Sequence, residues 1–372
     1  MKYERKNRKH NTVKTLTEAQ KLAFAPLTFQ TVSAMLKFGI LEILADKNCT
    51  CSELVEMTNL SEYAIKVLME VAEVSGLVQK NDEGKYFATQ FGKVFLYDEM
   101  TRVNFNFVND VCYLGASELG NSLKNAKPEG LNKFVQKSET IYPLLPTLPE
   151  QMKKSWYEFD NFYSDNCFEE IYEIISSNNP FEFYDIGGNT GKFERVCLKN
   201  KSKVAMLDLK ENIEVVKNEE ELKGCDFIPV DILKDKTLPK MKGAVLMSQF
   251  LDCFSKEQII SILEKVKASS SDGTKIYILE PFIDNQIFDG AKYALVHTSL
   301  YFTCMANGNS KMYSLEDMKS FVEKAGLKIS KIHNNKYFKK KYDSENVNVN
   351  VKRKLLLFCI RWNLWPVIIL VI

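Results

Sequence analysis

Net charge, metal-ligand spacing and histidine are all scarce in this 372-residue chain, and each shortage narrows what it can do. Fifty Lys and Arg stand against 48 Asp and Glu, a formal charge of +2. No global field therefore draws the chain to nucleic acid or another polyanion. Of nine cysteines only Cys49 and Cys51 lie close, one residue apart, and no second pair stands at zinc-ligand spacing. No metal site is expected, and the scattered thiols suit small apolar side chains in the reducing cytoplasm. Only three imidazoles, those of His10, His297 and His333, are available for acid–base work. The basic stretch Met1–His10 has no apolar core behind it, so it does not read as a signal peptide.

What is present is ordinary globular composition, 45% hydrophobic and 26% charged, at a length that predicts two domains. The first is expected over 15–98. Leu36, Ile40, Leu41 and Leu44 recur at helical spacing, and Thr50-Cys51-Ser52-Glu53 opens a short helix with a cap. Asn59-Leu60-Ser61 opens another, with an apolar stripe of Ala64, Val67, Leu68, Val71 and Val74, and Gly76 ends it. Residues 77–80 and 85–88 then pair across a turn bearing Gly84, which completes a winged-helix pattern. Its second helix carries Glu62, Glu70 and Glu73 against Lys66. A helix in a major groove must neutralise phosphates, so this one suits protein packing better than DNA.

A helical connector is expected over 99–179. Its aromatics Trp156, Tyr157, Phe159, Phe162 and Tyr163 read either as core or as walls of a pocket for a flat acceptor. Strand and helix alternate over 180–335, which predicts an α/β fold: a Rossmann-like doubly wound parallel sheet with ligands at the carboxyl ends of its strands. One strand ends in Asp185 and runs into Gly187, Gly188 and Gly191, bare backbone that a ligand can approach. The next two strands end in Asp208-Leu209 and in Asp231-Ile232. A carboxylate at Asp208 can accept ribose hydroxyls, and Asp231 can meet an adenine amino group.

On these residues the chain resembles the class I S-adenosylmethionine-dependent methyltransferases, specifically O-methyltransferase family 2 (the plant caffeate-type and bacterial small-molecule enzymes), from about Leu22 to Asn335. The resemblance implies S-adenosyl-L-methionine as cofactor and a homodimer formed through the winged-helix domain. It places the methionine part at Asp185, Gly187, Gly188 and Gly191, the ribose at Asp208 and Leu209, and the adenine at Asp231 and Ile232. Ser248, closing the fourth strand, joins the cofactor contacts. The family's catalytic His position holds Asp252 here, Glu280 matches the acid that orients that His, and a later family acid is replaced around Lys311-Met312-Tyr313, so the usual triad is not intact. An Asp with a pKa near 3.9 is a poor base for a phenol unless burial raises it. His297 precedes an aromatic stretch that in the family borders the acceptor pocket. The expected activity is methylation of a small aromatic or conjugated hydroxyl or carboxyl compound. A cofactor-binding regulator or scaffold is the alternative, and a DNA-binding regulator the weakest reading.

The region 336–372 departs from the pattern. Leu355–Ile372 is almost wholly apolar but is interrupted by Arg361, Asn363 and Pro366. A mid-span Arg costs roughly 2.5–3.5 kcal/mol on insertion scales. Three readings stand open: a displaced last strand, a membrane or interaction segment, or an atypical terminus, the last being favoured.

Overall fold

The computed structural model describes residues 12–135, 138–164, 167–333 and 367–371, and the chain divides into two compact units between Phe105 and Asn106. The first unit has the expected order of helices followed by a hairpin. It comprises α1 (Thr12–Lys37), α2 (Ile40–Asp46), α3 (Cys51–Thr58), α4 (Glu62–Val74), β1 (Val78–Lys80), β2 (Tyr86–Ala88) and α5 (Gln90–Tyr97). Local chemistry sets the boundaries. Thr50 and Glu53 form a reciprocal capping box that starts α3, and Ser61 caps α4 by accepting from the Ala64 N–H. In the hairpin turn Asn81 Oδ1 accepts from the N–H groups of Glu83 and Lys85. The core gathers Met35, Ile40, Leu41, Leu44, Leu54, Ile65, Met69 and Leu77, all fully buried or nearly so.

The expected stripe on α4 is corrected in part: Leu68 packs half-buried against the core, but the fully buried positions lie one step around the helix. Ile65, Met69 and Ala72 face the core, whereas Val67 is 40% and Val74 86% exposed. Both sets satisfy a 3.6-residue period, and only packing against α1 and α3 chooses between them. The one cation on this helix, Lys66, is paired with Glu62 at 2.6 Å.

Then α6 (Glu99–Phe107) follows, and the second unit continues with α7 (Leu119–Asn125), α8 (Glu150–Ser164) and α9 (Phe168–Ser176). Its α/β part runs β3 (Phe183–Ile186), α10 (Lys192–Lys199), β4 (Val204–Asp208), α11 (Lys210–Val216), β5 (Asp226–Pro229), β6 (Ala244–Ser248), α12 (Lys256–Ser269), β7 (Lys275–Leu279), α13 (Asp289–Tyr301), α14 (Leu315–Lys324), β8 (Lys328–His333) and β9 (Val367–Val371). The sheet order is β5-β4-β3-β6-β7-β9-β8. Strands β5 to β7 are parallel and β9 is antiparallel to both its neighbours. The chain builds outward from β3 through β4 to β5, then returns to lay β6 on the other side of β3. That reversal leaves a crevice at the carboxyl ends of β3 and β6, where open α/β sheets bind ligands. Beneath it Val245, Met247, Ile276, Ile278, Ile259 and Leu263 are fully buried, each worth roughly 1.5–3 kcal/mol of transfer free energy.

The displaced-strand reading of the C-terminal region is the one observed. Val367–Val371 inserts between β7 and β8, with Leu370 opposite both Ile276 and Ile329. The favoured atypical terminus is corrected for these five residues, whose apolar β-branched run suits a strand paired along both edges. Residues 334–366 lie outside the described part. Among the described residues no single helix is long and apolar enough to cross a membrane.

Candidate active site

A cavity of about 830 Å³ opens at the carboxyl ends of β3, β4, β5 and β6. The glycine turn forms its floor for a physical reason. Gly187 has φ +84°, and a Cβ there would stand 2.3 Å from the Phe250 ring; a Cβ on Gly188 would stand 2.4 Å from Glu194 Oε1. Gly191, φ +72°, begins α10 and packs against Leu222, away from the cavity lining. Asn189, between them, also has a positive φ of 50°.

Asp208, at the end of β4, is the anchor of this turn. Its Oδ2 accepts from the Asn189 N–H at 2.8 Å, and Oδ1 accepts from the Leu209 N–H at 2.6 Å and from Asn212 Nδ2 at 2.8 Å. Burial pushes this carboxyl above its usual range, against the pull of those three donors. A carboxylate has about four acceptor positions, so roughly one remains for a ligand hydroxyl. Asp231 is tied differently. Its Oδ1 accepts from the N–H groups of Leu233 and Lys234, and its Oδ2 pairs with Lys234 Nζ at 2.9 Å. Burial raises this acid, but the bonds from Lys234 and Leu233 outweigh it and leave the pKa lowered. Ile232 is buried beside Asp231 and lines the cavity, as does Leu209.

Three buried polar atoms of lining residues make no hydrogen bond within the chain: Ser248 Oγ, Gln249 Nε2 and Tyr142 Oη. Such atoms cost free energy when left alone, so their convergence on one cavity marks a built ligand site. Asp185 is held at about 7, first by burial and then by the charge of Asp208. The lining also includes Tyr142, Leu145, Trp156 and Cys253, together with Phe250, which abuts Gly187. Trp156 donates Nε1–H to the Tyr301 hydroxyl at 2.6 Å, and Phe159 instead stacks on Phe107 at 3.9 Å. Of the five connector aromatics, Trp156 alone lines this cavity and Phe159 stays in the core.

The expected catalytic residues separate. Asp252 and Glu280 are buried together behind the lining and do not reach the cavity surface. Glu280 Oε1 accepts from the N–H groups of Phe250 and Leu251 at 2.9 and 2.7 Å, so it fastens the loop after β6. Burial and the neighbouring Asp252 hold its carboxyl well above the usual range. Asp252 is pushed up to about 7 by burial, and the Cys253 Sγ lies 3.5 Å from its Oδ1. His297 is the correction. It sits on the exposed face of α13, stacked on Tyr293 with its Nδ1 2.8 Å from the Tyr293 carbonyl, and does not line the cavity. Leu295 and Tyr301 face the interior from the same helix, and that leaves position 297 turned outward. The Lys311–Tyr313 stretch keeps a structural part, since the Tyr313 hydroxyl donates to the Phe254 carbonyl at 2.8 Å.

Sequence reasoning missed Asn189, Asn212, Glu194, Tyr142 and Cys253. Asn212 was in reach, four residues after Asp208 and so one helical turn away. Glu194 carried the weak signal of an acid in the first turn of α10. Nothing local marks Tyr142, which arrives from the connector.

The comparisons with known proteins agree with this geometry. The family model for an O-methyltransferase domain matches residues 167–328, and that for a Dimerisation2-like domain matches residues 17–86. Demethylspheroidene O-methyltransferase of Rhodobacter capsulatus is 23% identical over 312 residues, 81% of this chain and 75% of that protein. The mitomycin 7-O-methyltransferase structure aligns with a TM-score of 0.69 at 13% identity, covering 96% of this chain and 97% of its own. Human N-acetylserotonin methyltransferase, solved in complex with S-adenosylmethionine, aligns at 0.59 and 14% identity over 98% of this chain and 99% of its own. With a Dimerisation2-like domain ahead of an O-methyltransferase domain, the chain belongs to the S-adenosylmethionine-dependent O-methyltransferase family.

Proposed function

We propose that this enzyme methylates an oxygen of a small, flat, aromatic or conjugated acceptor, working as a homodimer in the cytoplasm. The observation that carries the reading is one cavity lined both by glycine backbone with strand-end acids and by aromatic side chains. Asp185, the Gly187–Gly188 backbone and Ser248 would hold the methionine part, Asp208 and Leu209 the ribose, and Asp231 with Ile232 the adenine. Tyr142, Trp156, Phe250 and Cys253 would clamp the acceptor. Relatives named for demethylspheroidene, mitomycin and N-acetylserotonin support a small-molecule acceptor.

When bound, the cofactor supplies a methyl group on an electrophilic sulfonium, so alignment of the acceptor oxygen accounts for most of the rate. The chain's remaining task is the acceptor's proton. Cys253 lines the cavity beside the Tyr142 hydroxyl and stands 3.5 Å from Asp252. In this reading the acceptor hydroxyl gives its proton to the Cys253 sulfur as the thiol proton passes to Asp252 Oδ1. Asp252 accepts only when ionised, and burial holds it near 7, inside the range useful to a general base. The burial of Asp252 also favours a second reading, cofactor binding without turnover.

Dimerisation is supported by α1, where Val13, Leu16, Leu22, Phe24 and Leu27 are each more than half exposed. Calorimetry with S-adenosylhomocysteine and a methyl-transfer screen over phenols and aromatic acids test the proposal. Binding without transfer to any of them supports the second reading; absence of binding removes both. Light scattering of wild type and Leu22→Glu is expected to show a dimer and a monomer respectively.

A further inference from the structure

We propose that Glu194 belongs to the cofactor site and, sharing one proton with Asp185, sets its preference for the cationic cofactor over the neutral demethylated product. The inference rests on the cofactor reading above. Glu194 is fully buried in the first turn of α10, directly beneath Gly188, whose missing side chain leaves the space its carboxyl fills. No other residue donates a hydrogen bond to Asp185 Oδ1 or to either oxygen of Glu194. The two carboxyls face each other, with the Glu194 backbone N–H also bearing on Glu194; their contact attracts with one proton between them and repels with none.

Among the described residues neither acid forms an ion pair. The groups that bear on them are Asp208 from β4, the Cys197 thiol on α10 and the Cys225 thiol before β5. All are neutral or negative. The cations of α10 are directed elsewhere, Arg195 to Glu219 and Glu221, and Lys199 to Glu169 on α9, while Lys192 lines the cavity. Burial and mutual repulsion thus favour retention of the proton. Asp185 lines the cavity at the bare Gly187–Gly188 backbone, and a positive charge there makes the ionised pair more stable. Binding of the cation then expels the proton to solvent. S-adenosylhomocysteine keeps the ammonium but lacks the sulfonium charge, so it stabilises the ionised pair less and expels less of the proton.

Calorimetric titrations with each ligand from about pH 5.5 to about pH 8.5, in buffers of different ionisation enthalpy, read the proton directly. Affinity for S-adenosylmethionine is expected to rise by up to about tenfold per pH unit below neutrality, as one-proton linkage requires. The ratio of the two Kd values should shift with it. In Glu194→Gln the amide donates to Asp185 and no shared proton remains, so the ratio should become independent of pH while each ligand's own titration is unchanged. A wild-type ratio that is flat within about twofold, or one that shifts equally in the variant, overturns the proposal and leaves the cofactor reading intact. Failure of both ligands to bind wild type at every pH overturns that reading as well.

Discussion

Asp208 offers the most direct test of the cofactor end, because its hydrogen bonds allow the effect of Asp208→Asn to be worked out beforehand. The carboxylate accepts from three donors: the Asn189 N–H on Oδ2, and the Leu209 N–H and Asn212 Nδ2 on Oδ1. An amide can keep its oxygen at the Oδ1 position and retain two of these. Its NH₂ then faces the Asn189 N–H, donor against donor. One charge-assisted bond is lost, worth about 1.5–3 kcal/mol, and the other two become neutral. Removing a buried charge returns part of this, since burial opposes ionisation of Asp208. A net loss of about 1–2 kcal/mol should lower Tm by roughly 2–8 °C. Asn189 loses the bond that holds its left-handed conformation, and the ribose loses its acceptor. The Kd for S-adenosylhomocysteine should therefore rise by about 10- to 100-fold, or about 1.4–2.8 kcal/mol. The assay is isothermal calorimetry with S-adenosylhomocysteine and with its 2′-deoxy and 3′-deoxy analogues. At least one analogue should bind wild type more weakly, yet bind the variant about as well as the full ligand does, so that the two losses fail to add. A variant Kd within about threefold of wild type, or fully additive losses for both analogues, would refute the assignment of the ribose to Asp208.

Gly188→Ala drives a methyl group to 2.4 Å from Glu194 Oε1 and 2.9 Å from Met206 Cγ; it should weaken S-adenosylhomocysteine binding at least about tenfold, and unchanged affinity would contradict the packing beneath the turn. Turnover should climb as pH rises through about 7, where Asp252 ionises, and kcat in Asp252→Asn should be lower and lose that slope while the cofactor Kd holds. The same burial has a consequence for stability. Folded Asp252 keeps a proton that the unfolded chain releases near pH 4, so its stabilising effect is complete below about pH 4 and lost as pH rises to about 7. Thermal melts of Asp252→Asn should accordingly fall less between pH 5 and pH 7 than those of wild type. Deleting 367–372 removes the strand that joins β7 to β8, which should abolish soluble expression or lower Tm by more than about 10 °C.

The fold was legible wherever one local rule sufficed. Alternating strand and helix, with short apolar runs that mostly end in acid or glycine, defined β3 through β7 before any packing was known. The α4 stripe was not legible, because both Ala64–Val67–Val71 and Ile65–Met69–Ala72 are apolar at helical spacing and only the neighbouring helices decide between them. The last strand was obscured for a different reason. Its five residues follow β8 after a long separation in sequence, and a run of Val, Ile and Leu reads equally as anchor, core or central strand until its partners are known.

The site divides along the same line. Main-chain requirements leave a trace in sequence, so the positive-φ glycines and the strand-end acids could be named. Proton chemistry leaves none, because it depends on what surrounds a group and not on its identity. Asp252 and Glu280 are ordinary acids in sequence, yet burial together behind the cavity wall holds both protonated far above pH 4. The same is true of Asp185 with Glu194. His297, the residue whose type best suits a base, is turned to the outside of α13. Side-chain type therefore pointed to a residue outside the cavity lining. In a chain with three histidines, acids moved toward neutrality by desolvation can take the part that imidazole plays elsewhere; of the two buried pairs, Asp185 alone lines the cavity and Asp252 with Glu280 lies behind its wall. Because Asp185 with Glu194 lies at the glycine turn and Glu280 with Asp252 fastens the loop after β6, the proposed roles predict that pH acts separately on binding and on turnover, and measuring both on one enzyme distinguishes this arrangement from a single titrating base.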